Sequence, residues 1–197
     1  AMKATGKKQF IRTTWVDNSG LIRAKAARVP AGSRPPRHEV SLSFADQAML
    51  SMGEEMAAGG GLGAVGAVRL VADASTYSPL PYTRSSIRVM GDMFDGDTAW
   101  AHCPRECLRG AVRSAAKRGL RLRAAFELEF YLFSASGGQL LPADQSLYAQ
   151  SVPLDVHDGF LTELCEALEF QHVAPEAVHA EAGPGQLGEH RGHPLED

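Results

Sequence analysis

The ten residues Ala124-Ala125-Phe126-Glu127-Leu128-Glu129-Phe130-Tyr131-Leu132-Phe133 constrain the fold of this chain more than any other stretch. Their length and aromatic content predict the heart of a long central strand running from Leu120 to Phe133. On a strand, Glu127 and Glu129 share one face, while Phe126, Leu128 and Phe130 share the other. Two like charges on one face of an otherwise apolar strand are unfavourable unless something neutralises them. The spacing leaves two readings open. One is a half-exposed strand with a solvated carboxylate face; the other is a hard divalent cation, Mg²⁺ or Mn²⁺, held by carboxylate oxygens.

A second acidic segment, Glu176-Ala177-Val178-His179-Ala180-Glu181, runs directly into Gly183-Pro184-Gly185-Gln186. Glu181, just before that turn, can bring a third carboxylate to the same place. His179 alternates with Glu181, as a ligand or an ordinary surface histidine would. His190 and His193 read as solvated residues of a polar tail.

Composition narrows the function classes. Of 197 residues, 44% are hydrophobic and 22% charged, ordinary values for a globular protein. The formal net charge of −3, from 20 Lys+Arg against 23 Asp+Glu, argues against a dedicated nucleic-acid binder. No apolar run reaches the roughly 18 residues of a membrane-spanning helix. Ala1 to Gln9 carries no apolar core of a secretory signal. Cys103, Cys107 and Cys165 are too few and too irregular for a disulfide framework, so a reducing cytoplasm is the expected setting.

Two regions are expected. In the first, a strand from about Gln9 to Val16 turns at Asp17-Asn18-Ser19-Gly20 and returns over Leu21 to Val29, a hairpin. Pro30 to Pro36 is a loop. Ala48, Met49, Met52 and Met56 stand at helical spacing, so Phe44 to Met56 is expected to be a helix with its methionines in the core. Ala57 to Gly66 is a glycine-rich loop. Ala67 to Ala72 and Ser86 to Met93 are expected strands, and Asp95-Gly96-Asp97 a turn. These elements form an α+β domain over residues 1–98.

The second region, residues 99–197, opens with a helix at Pro104, a residue suited to the first helical position. Leu108, Ala111, Val112 and Ala115 give it an apolar stripe. Lys117, Arg118 and Gly119 end it. Arg105, Arg109 and Arg113 line another face, solvated or paired. After the long strand, Ser136-Gly137-Gly138 reads as a turn and Phe160, Leu161, Leu164 and Leu168 mark a helix. Val173 to Glu181 is extended, and nothing after Gly188 carries an assignable pattern. Cys103 and Cys107 lack a second pair for zinc. Gly59 to Gly63 lacks the following Lys-Ser or Lys-Thr of a phosphate-binding loop.

Five segments in order resemble the N-terminal part of the glutamine synthetase family, over roughly Phe10 to Gln186. They are Trp15-Val16-Asp17-Asn18-Ser19-Gly20 with Val68-Arg69-Leu70-Val71-Ala72-Asp73-Ala74-Ser75-Thr76; the Cys103-Pro104-Arg105 helix start; Phe126-Glu127-Leu128-Glu129-Phe130; and Glu181-Ala182-Gly183-Pro184-Gly185-Gln186. The resemblance implies a β-grasp-like N-terminal domain followed by the first part of the family's catalytic α+β domain. It implies that Glu127 binds the nucleotide-side metal, that Glu129 and Glu181 bind the glutamate-side metal, and that Glu176 contacts ATP. The implied chemistry phosphorylates the γ-carboxylate of glutamate with ATP, and ammonia or a larger amine then displaces phosphate. Fixed Mg²⁺ or Mn²⁺ would neutralise charge growing on the phosphoryl oxygens. A homo-oligomeric ring is implied for a complete relative.

The departures are as informative. Where the family has a further metal-binding glutamate, two residues after Gly-Gln, this sequence has Gly188. Glu189, one residue later, is the candidate replacement through a one-residue slip. From Leu187 onward the resemblance ends, as a truncation or shifted frame would produce. The family's later histidine, Gly-Ser-Gly-x-His segment and arginines are not present, nor is the Phe-Asp-Gly-Ser-Ser loop of ammonia-using bacterial enzymes. The expectation is therefore a portion of an ATP-dependent ligase without turnover on its own. Two alternatives are a non-catalytic assembly module and, without the resemblance, a small metal-dependent hydrolase using Glu127, Glu129 and Glu181.

Overall fold

The structure, a computed structural model, describes residues 7–35, 38–53 and 55–194, with side chains through residue 190. It is α+β, as expected, and divides into two compact units, Ala1–Gly119 and Leu120–Glu196.

The first unit is a mixed sheet. Strands β1 (Lys8–Val16), β2 (Ile22–Pro30), β3 (Glu39–Ser43), β4 (Ala67–Ala72) and β6 (Ser86–Asp95) lie in the order β2-β1-β6-β4-β3. Short strands β5 (Ser78–Pro79) and β7 (Thr98–Ala99) also pair with β6. β1 runs parallel to β6 and antiparallel to β2, a β-grasp-like arrangement. The hairpin closes because Asp17 Oδ1 accepts the N–H groups of Ser19 and Leu21, both at 2.9 Å, and its other oxygen pairs with Arg23. Gly20 supplies the positive φ this turn requires.

Alternation along β6 buries Ile87, Val89, Gly91 and Met93. Leu70, Met93, Val68, Leu42, Trp15, Trp100 and Cys103 form one core cluster, and Ile11, Ala72, Ile87 and Val89 another. Phe44 stacks on Trp100 with ring centroids 5.2 Å apart.

One expected element is corrected here. Helix α1 spans only Phe44–Ala48, capped by Ser43 and Asp46. Met49 turns extended and bridges to Met56, and Ala57 N–H closes the loop onto Ala48 O at 2.8 Å. Met52 is 96% exposed and Met56 is also exposed, so neither is core. The helical spacing of the methionines was outweighed by Gln47. Its buried amide donates toward Val16 O, Asn18 Oδ1 and His102 O, anchoring the chain just before the loop.

Helix α2 (Pro104–Ala116) starts at proline as expected and packs with the first unit. Its arginine face, not its apolar stripe, does the holding: Leu108 is exposed, and no residue of the helix is buried. Arg105 reaches Asp73 at 2.7 Å and Asp92 at 2.8 Å, and Arg109 reaches the same two carboxylates at 3.2 and 2.8 Å. Burial alone would push the Asp73 carboxyl up. Hydrogen bonds from Ser75 and Arg105, with the guanidinium charge, outweigh it and hold the carboxyl below the usual aspartate value. A lowered carboxylate stabilises the fold above its unfolded pKa, and that contribution fades as pH falls through the folded one. The α2 attachment is therefore expected to weaken as pH falls below the ordinary aspartate range. Following Trp15 and Trp100 fluorescence in an acid titration checks this, with a flatter acid limb expected for Asp73→Asn.

The second unit holds β8 (Arg123–Tyr131), β9 (Phe133–Ser136), β10 (Gln139–Pro142), β11 (Ala177–Ala180) and β12 (Gln186–Pro194). β9 and β10 form a hairpin through Gly137 and Gly138, both at positive φ. Helices α3 (Val152–Val156) and α4 (Asp158–Glu169) lie between the hairpin and β11 in sequence. β11, β12 and β8 form an antiparallel sheet in that order.

Two expectations change here. The long strand ends at Tyr131, because Leu132 leaves the ladder to exchange hydrogen bonds with Gly185 and Ala143. Among the described residues β8 is an edge strand rather than a central one. The segment after Gly188, without assignable pattern in sequence, is the middle strand β12. Its partners β8 and β11, not its own periodicity, make it a strand.

Candidate metal centre

Strand parity sorts the three-stranded sheet into two faces. The register pairs Glu127 with His190, Glu129 with Gly188, and Gly188 with His179. One face therefore presents His179 and Glu181, then Gly188 and His190, then Glu127 and Glu129. The other presents Val178 and Ala180, Leu187 and Glu189, then Phe126, Leu128 and Phe130. This second face carries the apolar packing: Leu187 is fully buried, and Phe130 meets Phe160 of α4 edge-on at 6.0 Å.

The Gly183-Pro184-Gly185-Gln186 turn positions the polar face. Gly185 has φ +70°, and a Cβ there would lie 2.7 Å from Leu132 O. Only glycine fits so close to the end of β8. Gln186 Oε1 accepts the Gly183 N–H at 2.9 Å, and Glu181 N–H donates to Gln186 O at 2.9 Å. Gln186 Nε2 then donates to Glu129 Oε2 at 2.7 Å. This turn thus ties the second acidic segment onto the first.

Oxygens of Glu127, Glu129 and Glu181 lie within 4.8 Å of one another. Glu181 occupies space over Gly188, where a Cβ would come 2.6 Å from its Oε1. Convergent carboxylate oxygens at this separation are the donor set that Mg²⁺ or Mn²⁺ takes. Glu181 Oε1 also lies 2.7 Å from His179 Nε2, and Glu127 Oε1 lies 3.1 Å from His190 Nε2.

Three residues placed at the site by sequence are thus brought together, and two are not. Glu189 sits on the opposite face, 2% exposed, with neither carboxylate oxygen hydrogen-bonded among the described residues. Burial, with Glu169 and Glu189 nearby, pushes the Cys165 thiol up. Glu176 is exposed just before β11, donating its N–H to His190 O at 2.9 Å, and joins no carboxylate cluster among the described residues. His190 was missed in sequence. It is not a free tail residue: it stacks on His179 with centroids 4.9 Å apart. The one signal for it was Leu187, whose burial fixes the parity that turns Gly188 one way and His190 the same way. His193 lies outside the side chains described.

The chain is similar to known proteins in both sequence and fold. Residues 101–189 match the glutamine synthetase catalytic domain. The chain is 29% identical over 204 residues to type-1 glutamine synthetase 1 of Dictyostelium discoideum, covering 91% of this chain and 40% of that protein. It is 29% identical over 163 residues to a gamma-glutamylanilide synthase of Acinetobacter sp., covering 75% of this chain and 32% of that one. The chain thus spans 40% or less of the length of these relatives. In fold it is similar to a crystal structure of a novel glutamine synthase homolog, with TM-score 0.76, 21% identity, and coverage of 98% of this chain and 45% of that one. A GmaS/ADP complex is similar with TM-score 0.70, 18% identity, and coverage of 94% and 42%. In sequence and in fold, the chain is thus similar to part of the glutamine synthetase family's proteins.

Proposed function

We propose that this chain supplies the early metal-binding carboxylates of an ATP-dependent ligase that joins an amine to the γ-carboxylate of glutamate. The observation carrying the proposal is the convergence of Glu127 and Glu129 on β8 with Glu181 at the end of β11. Those oxygens would hold Mg²⁺ or Mn²⁺, and the metal would neutralise charge during phosphoryl transfer from ATP. The chain's own part is to fix the carboxylates: Gln186 orients Glu129, and His179 stands against Glu181. Either ammonia or a larger amine fits this reading; the likeness to a gamma-glutamylanilide synthase supports the larger class. Assembly into a homo-oligomeric ring belongs to the same reading.

Mn²⁺ titration of the purified chain, followed by electron paramagnetic resonance, tests the site. Glu129→Gln and Glu181→Gln are each expected to weaken Mn²⁺ binding by about tenfold or more, since each removes one of few charged oxygens. An affinity unchanged in both variants overturns the proposal. Phosphate release from ATP with glutamate and a panel of amines is expected to stay at background for these 197 residues alone.

A further inference from the structure

The polar face of the β11-β12-β8 sheet carries more than carboxylates. A ring nitrogen of His179, a ring nitrogen of His190 and an oxygen of Glu127 also lie within 4.8 Å of one another. Three strands contribute one residue each, so the cluster depends on the sheet register and not on a single flexible loop. His190 stands directly opposite Glu127, and His179 stands opposite Gly188, diagonal to His190. The imidazoles stack at 23° between planes, with Tyr148 edge-on to His179 at 5.9 Å. Both histidines are only partly exposed, at 27% and 41% of their side chains. Gly188 between them contributes no side chain, and the Glu181 carboxylate takes the space over it.

We infer that His179, His190 and Glu127 form a binding site for a late first-row transition-metal ion, such as Zn²⁺ or Co²⁺, beside the carboxylate set. Two imidazole nitrogens and one carboxylate oxygen are a donor set that zinc accepts, with a further position left for water. Imidazole is a borderline donor that favours Co²⁺, Ni²⁺ and Zn²⁺ over Mg²⁺, whose preference is for oxygen and water. Glu127 is common to both clusters, so its two oxygens can serve an ion on either side. The inference does not need the ligase reading, because His190 lies beyond the stretch that carries the family resemblance. It makes the metal preference of this face depend on its histidines.

Untagged chain titrated with Co²⁺ tests it, with visible absorption as the readout and Zn²⁺ as the competitor. The wild type is expected to develop d–d bands that Zn²⁺ abolishes, with Zn²⁺ at least about tenfold tighter than Mg²⁺. His190→Ala is expected to weaken Zn²⁺ by about tenfold or more while moving Mn²⁺ affinity by less than about twofold, and His179→Ala to weaken Zn²⁺ to a similar extent. Glu129→Gln is expected to do the reverse, weakening Mn²⁺ and sparing Zn²⁺. A failure of the carboxylate site therefore shows in the Mn²⁺ arm and a failure of the histidine site in the Zn²⁺ arm. Nitrogen-15 shifts of the wild-type imidazoles on adding Zn²⁺ make the test independent of how any variant folds. Histidine signals that do not move at saturating Zn²⁺, or a double histidine variant that binds Co²⁺ like the wild type, overturn the inference.

Discussion

Glu189→Met is expected to stabilise the second unit by about 2 kcal/mol, within the range seen when well-packed apolar residues replace buried charges. Glu189 is 2% exposed on the face it shares with Leu187 and Ala180, themselves almost fully buried. Its register partners on that face are Leu128 and Val178, and Cys165 of α4 lies within reach of its charge. Neither carboxylate oxygen has a hydrogen-bond partner among the described residues. A buried carboxylate without partners loses hydration and gains nothing in return, whereas methionine of similar length fills the same space with dispersion contacts. Native-state amide exchange at β12 reads the change directly: slower exchange is expected, and faster exchange would mean the carboxylate is satisfied after all. The same variant bears on the one-residue slip by which Glu189 would stand in for the ligand that Gly188 replaces. Moving Glu189 to the polar face requires β12 to shift by one residue, which would turn Leu187 and every neighbour to the wrong side. Mn²⁺ affinity is accordingly expected to be unchanged in Glu189→Met.

Leu70→Ala is expected to destabilise the first unit by about 3–4 kcal/mol. Leu70 is fully buried at the centre of the cluster formed by Trp15, Leu42, Val68, Met93, Trp100 and Cys103. Its side chain lies over Gly91, where an added Cβ would stand 2.5 Å from Leu70 Cγ and Cδ1. Glycine on β6 is thus the condition for leucine on β4. Truncating Leu70 leaves a void that the sheet backbone cannot close, and the lost contacts add to the lost burial. Gly91→Ala alone is also expected to destabilise, by clash. Combining the two changes should recover part of the loss, since the new methyl enters space the leucine vacated. Denaturant titration followed by Trp15 and Trp100 fluorescence measures all three variants; strictly additive losses would mean the two positions do not share that space.

Several elements were legible because their causes are local. The Asp17–Gly20 turn follows from an aspartate that bonds its own backbone and a glycine that accepts positive φ. Pro104 starts α2 because the first helical N–H needs no partner, and Gly137-Gly138 turns the β9–β10 hairpin by the same freedom of φ. The methionine helix failed for a non-local reason. Gln47 anchors to three distant acceptors, and Met49 finds a bridge partner in Met56, so tertiary contacts overrode spacing.

At the candidate site, residue types and alternation alone established that Glu127 and Glu129 share a face, and that a glycine-rich turn follows Glu181. Those are consequences of strand pleat and backbone sterics, which act between near neighbours. Only the folded sheet decided the rest. β12 inserts between β11 and β8, and its register carries Glu181 to Glu129, lifts His190 out of an apparent tail, and turns Glu189 into the apolar side. The β12–β8 register is set by hydrogen bonds between segments more than 50 residues apart, with Gln186 donating to Glu129 among them. No short-range pattern encodes which residue of one strand faces which residue of another.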